Sequence, residues 1–530
     1  MRCSFIVDGI RLPVSAAEQE AFSAAAAALR RAGVHAGDPA FHIRKKSVDA
    51  RHRDDVSFVY SVIVDAEISS APDTKRLANS GIKIANEEPM TLSFGAERLT
   101  APIHIVGFGP AGMFCALLLA ENGYCPIVYE RGADVDARVK AVERFLDTAS
   151  LDENTNVQFG AGGAGTFSDG KLTTRIGDPL CSYVLKRFCE FGAPDDILYR
   201  AKPHVGTDNL REVVRRLDAK IRELGGEIHY ETHVTEVSDH SLVINGTAEK
   251  SAATVLAVGH SARDLYEKLL ASGFSIVPKA FSCGVRVEHL QNELDEVMYG
   301  DFAGKYGLGH AEYALSYREG KRGVYSFCMC PGGYVMASAS ENGGVVTNGM
   351  SNYRRDGRNA NAAIAVSVLP EDYGNTPAGA IAFQRSLERA AFRAGGDAFR
   401  APAQLMGDFL SGKSGTEPQR IVPTYMNGNV FMTDLHGVLP PFITSMLETG
   451  FRRFGCTIRG FDAPDVPMTG VETRTSAPIR ILRGDDYTAP GFSGIYPAGE
   501  GAGYAGGIMS AAVDGIRVAM AIMRRFAPPD

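Results

Sequence analysis

The sequence predicts an α/β protein: a parallel-strand domain, split by an inserted α+β domain and preceded by a small α+β unit. Three observations predict it. Residues 103–130 read as strand, glycine turn, helix and strand. Residues 494–525 read as a second strand, glycine loop and helix. Between them, residues 281–469 mix short strands and glycine turns with helical stretches. Strands that alternate with helices build parallel sheets, because each crossover must return the chain to the same end.

The 530 residues suggest roughly three domains. Hydrophobic content of 45% and charged content of 22% are those of an ordinary globular chain. The net charge of −7 argues against a general nucleic-acid binder. Met1-Arg2-Cys3-Ser4-Phe5 leads into a strand without a long apolar segment, so no signal peptide is expected. No run of 18 apolar residues occurs, so no membrane span is expected. The nine cysteines are odd in number and scattered, which suits a reducing cytoplasm.

Residues 1–95 form the first unit. A strand at Arg2–Leu12 precedes an alanine-rich helix, opened by a capping box at Ser15-Ala16-Ala17-Glu18 and stopped at Gly33. Strands at Ala40–Val48 and Val56–Asp65 flank a charged turn, and a short helix follows near Thr74–Asn79. The β-α-β-β-α order suggests a ferredoxin-like unit. Arg44, Lys45, Lys46, Arg51 and Arg53 offer an RNA or protein surface, but Asp49, Asp54 and Asp55 dilute the charge and favour a solvated hairpin.

Residues 96–280 begin the parallel domain. Ile103–Val106 is an apolar strand running into Gly107-Phe108-Gly109-Pro110-Ala111-Gly112. In this spacing Gly107 permits the tight turn, Gly109 lets the backbone approach a pyrophosphate, and Gly112 lets the helix pack on the strand. The free N–H groups at the helix start then face phosphates. Gly123 ends the helix, and the next strand closes at Glu130, 23 residues after Gly107. That is the place of an acid that binds a ribose diol, and its charge would repel the 2′-phosphate of NADP. His104, three glycines and Pro110 break the apolar run too often for it to cross a bilayer.

The loop Phe159–Lys171 holds five glycines among small and hydroxyl-bearing residues, so something must approach it closely, and its N–H groups suit an anion. Glu227–Val237 and Ser241–Ile244 read as a β-meander, and Ala253–His260 as an apolar strand ending at Gly259. A helix opens at Thr207-Asp208-Asn209 and ends at Gly225-Gly226. In the inserted domain, Phe327–Pro331, Gly333–Ala339 and Gly343–Gly349 read as strands, and Arg385–Ala394 and Leu439–Arg453 as helices. Residues 470–530 return to the parallel domain.

Gly-Pro-Ala-Gly in the turn, Glu130-Arg131 after the second strand and the C-terminal glycine segment together resemble the two-dinucleotide-binding flavoproteins of glutathione-reductase type. The resemblance implies a Rossmann domain that binds FAD. Its pyrophosphate turn would be Gly107, Gly109, Pro110, Ala111 and Gly112, with Glu130 and Arg131 following. The glycine loop would contribute Gly163, Ala164, Gly165, Thr166 and Ser168. Val234 falls at the backbone contact to adenine, and Gly259 near the phosphates, with Val258 where the superfamily has Thr. Gly499-Glu500 takes the place of the superfamily's Gly-Asp at the ribityl chain, one methylene longer. Gly506, Gly507 and Ile508 would pass under the isoalloxazine.

Longer segments resemble a bacterial family of NAD(FAD)-utilising dehydrogenase-like proteins with no assigned substrate. They are Ser47–Arg51, Val106–Gly112, Phe159–Lys171, His204–Asp208, Phe327–Gly333, Asn348–Ser351, Gly470–Pro478 and Tyr496–Ile508. The resemblance implies a flavin oxidoreductase with a small-molecule substrate between flavin and inserted domain. Arg474 is the residue best suited to clamp an anionic substrate, or else it pairs with Glu472 or Glu448. His204, Cys328 and Cys330 stand behind it as acid–base or redox candidates. Cys328-Met329-Cys330 lacks a second Cys/His pair at zinc-ribbon spacing, so no metal site is read and buried or pocket-lining free thiols are expected. No second nucleotide turn is evident, which leaves transiently bound NAD(P)H, a carrier protein or the substrate itself as electron donor. Two alternatives remain: a flavin-dependent RNA-modifying enzyme, opposed by the acidic net charge, and a partner-binding protein without flavin, opposed by Glu130 and both glycine segments.

Overall fold

The computed structural model describes residues 1–85 and 90–529 and divides into two units. Residues 86–89 of the predicted N-terminal unit lie outside the described residues. Among the described residues, no helix is long and apolar enough to cross a membrane.

The smaller unit comprises residues 1–91, 194–204 and 292–311. Its antiparallel sheet runs in the order Gly37–Asp49, Ser57–Glu67, Arg2–Pro13, Ile82–Ile84, which is the strand order of a ferredoxin-like split βαβ. Strand residues Phe5, Val7, Val62 and Val64 are buried, as period-two alternation requires. Helix Gln19–Arg31 buries Ala21, Ala25 and Leu29, one apolar stripe at a spacing of four. The predicted capping box does not form. Glu18 occupies the N-cap without a side-chain bond, and Glu20 instead accepts from the Ala17 N–H, because the turn at Pro13–Ser15 delays the helix. The basic residues are largely matched: Arg51 bonds Asp49 and Lys46 bonds Glu18. The backbone of Tyr199–Ala201 joins Lys46 on the outer strand.

The larger unit holds two sheets that matter for function. The first is parallel and five-stranded, in the order Ile495–Pro497, Ala253–Leu256, Ile103–Val106, Ile127–Tyr129, Glu227–His229. Successive strands leave Ile103–Val106 on opposite sides, so a crevice opens at its C-terminal end, where open parallel sheets bind ligands. Helix Pro110–Glu121 is buried on every face from Ala111 to Ala120. It packs against helix Ile508–Arg525, where a Cβ on Gly515 would lie 2.0 Å from the Ala111 carbonyl. Only glycine lets the two helices meet this closely.

The second sheet has seven strands, in the order Ser316–Glu319, Arg322–Cys330, Asn359–Val368, Phe281–Leu290, Pro467–Glu472, Ala401–Leu405, Val430–Met432. All neighbours are antiparallel except the last pair. Helices Pro377–Ala394 and Pro441–Gly455 pack on this sheet.

Three expectations need correction. Glu227–His229 belongs to the parallel sheet, and the meander begins only at Val234–Ser238. The predicted break between 469 and 470 falls inside strand Pro467–Glu472, which is buried throughout and so carries no alternation to show which sheet owns it. Residues 194–204 and 292–311, predicted in the parallel and inserted domains, belong to the smaller unit. Their contacts are made by tertiary pairing rather than by any local pattern.

Candidate functional site

A single cavity in the larger unit is lined by both glycine segments, the glycine loop and part of the seven-stranded sheet. Gly107 turns at φ +102°, and a Cβ there would lie 2.4 Å from the Ala257 carbonyl. Opposite it Gly163, at φ +63°, would carry a Cβ 2.9 Å from the Gly109 Cα. Two backbones thus meet where side chains are absent. The first turn of helix Pro110–Glu121 opens into this gap with no side-chain cap, and its N–H groups are those that bind phosphate in other proteins. Gly112 does not line the cavity. Its Cβ would lie 2.0 Å from the Gly107 carbonyl, so its role is packing.

Glu130 lines the cavity and is buried. Its Oε2 accepts from the Phe108 N–H at 2.8 Å, and its Oε1 from Gly132 and Gly160 at 3.0 and 2.9 Å. A carboxylate has about four acceptor positions, so one remains for a ligand hydroxyl. The Arg131 guanidinium pairs with Asp264 at 2.8 Å and lies 4.3 Å from the Phe159 ring centre. Val234 lines the cavity beside Thr232 and His233.

The glycine loop is held by a residue the sequence did not single out. Arg138, fully buried on helix Val135–Thr148, donates to the carbonyls of Asn156, Val157, Gly160, Ala161 and Gly163 at 2.6–3.2 Å. Its planar fork fits this curved run of carbonyls as a lysine could not. A buried arginine one turn into an ordinary helix has no local signature. Gly163, Ala164, Gly165 and Ser168 line the cavity, whereas Thr166 turns inward and donates to the Ala161 carbonyl at 3.1 Å.

At the C-terminal segment, Gly499 does not line the cavity. Its N–H donates to Asp514 at 2.7 Å, and Asp514 also takes Arg483 in a paired contact. Asp514 is the one acid in the run 508–523, which is apolar apart from it, Ser510 and Arg517, a sequence signal that could have found it. Glu500, Gly506, Gly507 and Ile508 line the cavity, as does Gly259. Burial pushes the Glu500 carboxyl up to about 7, although Lys279 and the Gly507 N–H oppose this. His260, 3.9 Å from Glu500, is pushed down to about 3 by burial and by Arg474, so it is neutral at pH 7.

The facing wall is built from ion pairs. Arg474 lines the cavity, but its donors are spent: Nε and one Nη reach Glu388 at 3.0 and 2.9 Å, and the other Nη reaches Ser261 and Ser340. Glu388 also takes Arg263 at 2.7 and 2.8 Å, making a buried Arg–Glu–Arg triad. In this structure the predicted anion clamp is therefore engaged by Glu388, which it shares with Arg263. Neither alternative partner holds it, since Glu472 pairs with Arg286 and Glu448 with His436. Glu388 sits on the buried stripe of its helix with Ile381, Gln384, Leu387 and Ala391, so an acid at a core position was the missed signal. Asp169 and Lys171, both lining the cavity, pair at 2.5 Å, and Arg355 clamps Asp169 from behind. Cys328 lines the cavity but Cys330 and His204 do not; both are buried, and His204 belongs to the smaller unit.

Comparison with known proteins adds what geometry leaves open. The family model "FAD-dependent protein, C-terminal domain-like" matches residues 280–475, and a domain of unknown function matches residues 8–65. CtdE in complex with FAD is similar at 11% identity, over 79% of this chain and 84% of that one, with a TM-score of 0.31. Glycine oxidase from Bacillus cereus is similar at 9% identity, over 81% and 99%, with a TM-score of 0.33. An uncharacterized protein of Clostridium beijerinckii is 45% identical over 499 residues, covering 92% of this chain and 93% of that one. The cofactor is FAD, and the glycine cradle, helix start and Glu130 fit it. With an FAD-dependent C-terminal domain and this identity along nearly its whole length, the chain belongs to the family of that Clostridium beijerinckii protein.

Proposed function

We propose that this chain is an FAD-dependent oxidoreductase of dehydrogenase or reductase type, acting on a small molecule held between the FAD cradle and the seven-stranded sheet. One observation carries this reading: a single cavity has the dinucleotide cradle on one side and, on the other, Phe327, Cys328 and Glu472 of the seven-stranded sheet with Asn348 of the neighbouring strand pair. When bound, FAD would supply two-electron chemistry, and the protein would supply position and field.

The N–H groups after Pro110 and those of the glycine loop would hold the pyrophosphate. Glu130 would offer its fourth acceptor position to the ribose. Arg131 and Val234 would border the adenine, and Gly259 the phosphates. Glu500, rather than the superfamily's Asp, would bind the ribityl chain, and Ile508 would lie against the ring system. Burial opposes the charge on Lys171, but Asp169, Glu312 and Cys330 together raise its pKa above the usual range, so it remains cationic. Arg474 acts as a positioning residue, holding Ser261 of the cavity lining and the buried Ser340 behind it.

The test is an anaerobic absorbance spectrum of protein supplied with FAD, followed by NADPH and then NADH. Bleaching of an oxidised-flavin spectrum would identify a nicotinamide-fed reductase. A flavin that stays oxidised would direct the search to substrate-driven reduction or a carrier protein. No flavin spectrum after FAD addition would overturn the reading.

A further inference from the structure

Cys328 and Cys330 have no part in the binding roles above, yet the fold brings them together at the cavity. Strand Arg322–Cys330 pairs in register with Asn359–Val368 as far as Phe327, then shifts before Cys330. Within that bulge Cys328 adopts φ +42°, a conformation uncommon for residues other than glycine. Bulges beside functional sites re-aim a side chain. Here the result is a Cys328 Sγ to Cys330 Sγ separation of 4.0 Å. Closing that gap to the roughly 2.05 Å of a disulfide needs side-chain rotation, with the backbone already bent toward it.

The two thiols differ in access. Cys328 is partly exposed and lines the cavity shared with the glycine turn and Ile508, and Cys330 is buried behind it. Basic groups surround the pair: an Nη of Arg286 donates to the Cys328 carbonyl at 3.2 Å, and Lys171 lines the same cavity. The buried Cys283 and Cys115 thiols have no such setting.

We propose that Cys328 and Cys330 are a redox-active dithiol that closes reversibly to a disulfide by exchanging two electrons with the FAD of the same cavity. This rests on the FAD-oxidoreductase reading. In the oxidising direction, the Cys328 thiolate and the Cys330 thiol lose two electrons between them. The Cys330 S–H bond breaks, the S–S bond forms, and oxidised FAD takes both electrons and that one proton to become the reduced flavin anion. Atoms and charge balance without a further reactant, and the reverse step opens the disulfide. Cys328 is the exchanging thiol and Cys330 the resolving one. The Cys330 thiol, Arg286 and Lys171 together hold the Cys328 thiol below its usual range despite burial, so the thiolate is accessible near neutral pH. The Cys328 thiolate and burial hold Cys330 above the usual range, so it keeps the proton the step requires.

The experiment is an anaerobic dithionite titration of the FAD-loaded full chain in a C125S/C456S background, which removes the two exposed thiols. After oxidation it should take up about four electrons per flavin, and C328S or C330S about two. Alkylation and peptide mass, measured in parallel on the wild-type chain, should find residues 328 and 330 blocked after oxidation and free after dithionite. This readout needs neither turnover nor a folded variant. Uptake of only two electrons per flavin with Cys328 and Cys330 both intact, together with alkylation of both after oxidation, would overturn the relay and leave the FAD reading standing. Failure to bind FAD at all would overturn both.

Discussion

The two sides of the cavity are made by opposite means. The cradle side is made by absence: glycines at 107, 109 and 163 let backbones meet, so backbone rather than side chain faces the cavity there. The facing wall is made by charge: Arg263–Glu388–Arg474, Arg286–Glu472 and Asp169–Arg355 are buried ion pairs that hold side chains in place. A cradle of backbone groups tolerates little added volume. A wall of paired charges tolerates isosteric change but not loss of one partner, because the survivor is left charged and dry.

The largest expected effect breaks the wall. Glu388 is 1% exposed between two arginines, so Glu388→Ala should cost about 3–5 kcal/mol and show as a large drop in Tm. The pH dependence carries the sign. Burial pushes the Glu388 carboxyl up, but Arg263 and Arg474 overcome this and hold it well below the usual range. Its contribution is therefore present above the unfolded value of about 4.3 and lost as pH falls toward the depressed folded value. The Tm gap between wild type and Glu388→Gln should narrow across that acid window, and a gap independent of pH would contradict the triad.

Next comes the cradle. Gly107→Ala places a Cβ 2.4 Å from a carbonyl at a positive φ, a combined strain of about 2–4 kcal/mol, and should abolish FAD retention on gel filtration. Arg138→Lys should be milder in stability, about 1.5–3 kcal/mol, but should weaken FAD binding by tenfold or more in a fluorescence titration, because one ammonium cannot span five carbonyls. If Arg138→Lys binds FAD as the wild type does, the loop's shape does not depend on its arginine.

The smallest effect sharpens the boundary between the sides. Glu500 has its carboxyl raised to about 7 by burial, so folding favours its neutral form. Its contribution is full below the unfolded value near 4.3 and is lost as pH rises through about 7. Glu500→Gln should flatten that decline in a Tm series from pH 5 to 8, with little change at pH 5.

Local pattern was enough to read the cradle. Strand, glycine spacing, helix and terminal acid lie within Ile103–Glu130, and each is a short-range requirement of backbone geometry. The same holds for the helix at Ile508–Arg525 and for strand alternation in the N-terminal unit. Where local pattern was ambiguous, the reading slipped: the Ser15 capping box was a sound motif that the preceding turn displaced, and the buried strand at Pro467–Glu472 gave no alternation to assign it.

The wall lay beyond such reading. Arg474 meets Glu388 across 86 residues, Arg263 meets it across 125, and Arg286 meets Glu472 across 186. A charged residue's partner is set by which elements the fold packs together, and many carboxylates compete in sequence for each arginine. Glycine acts through its own backbone and so announces itself locally, whereas an ion pair exists only once two distant segments have been buried against each other.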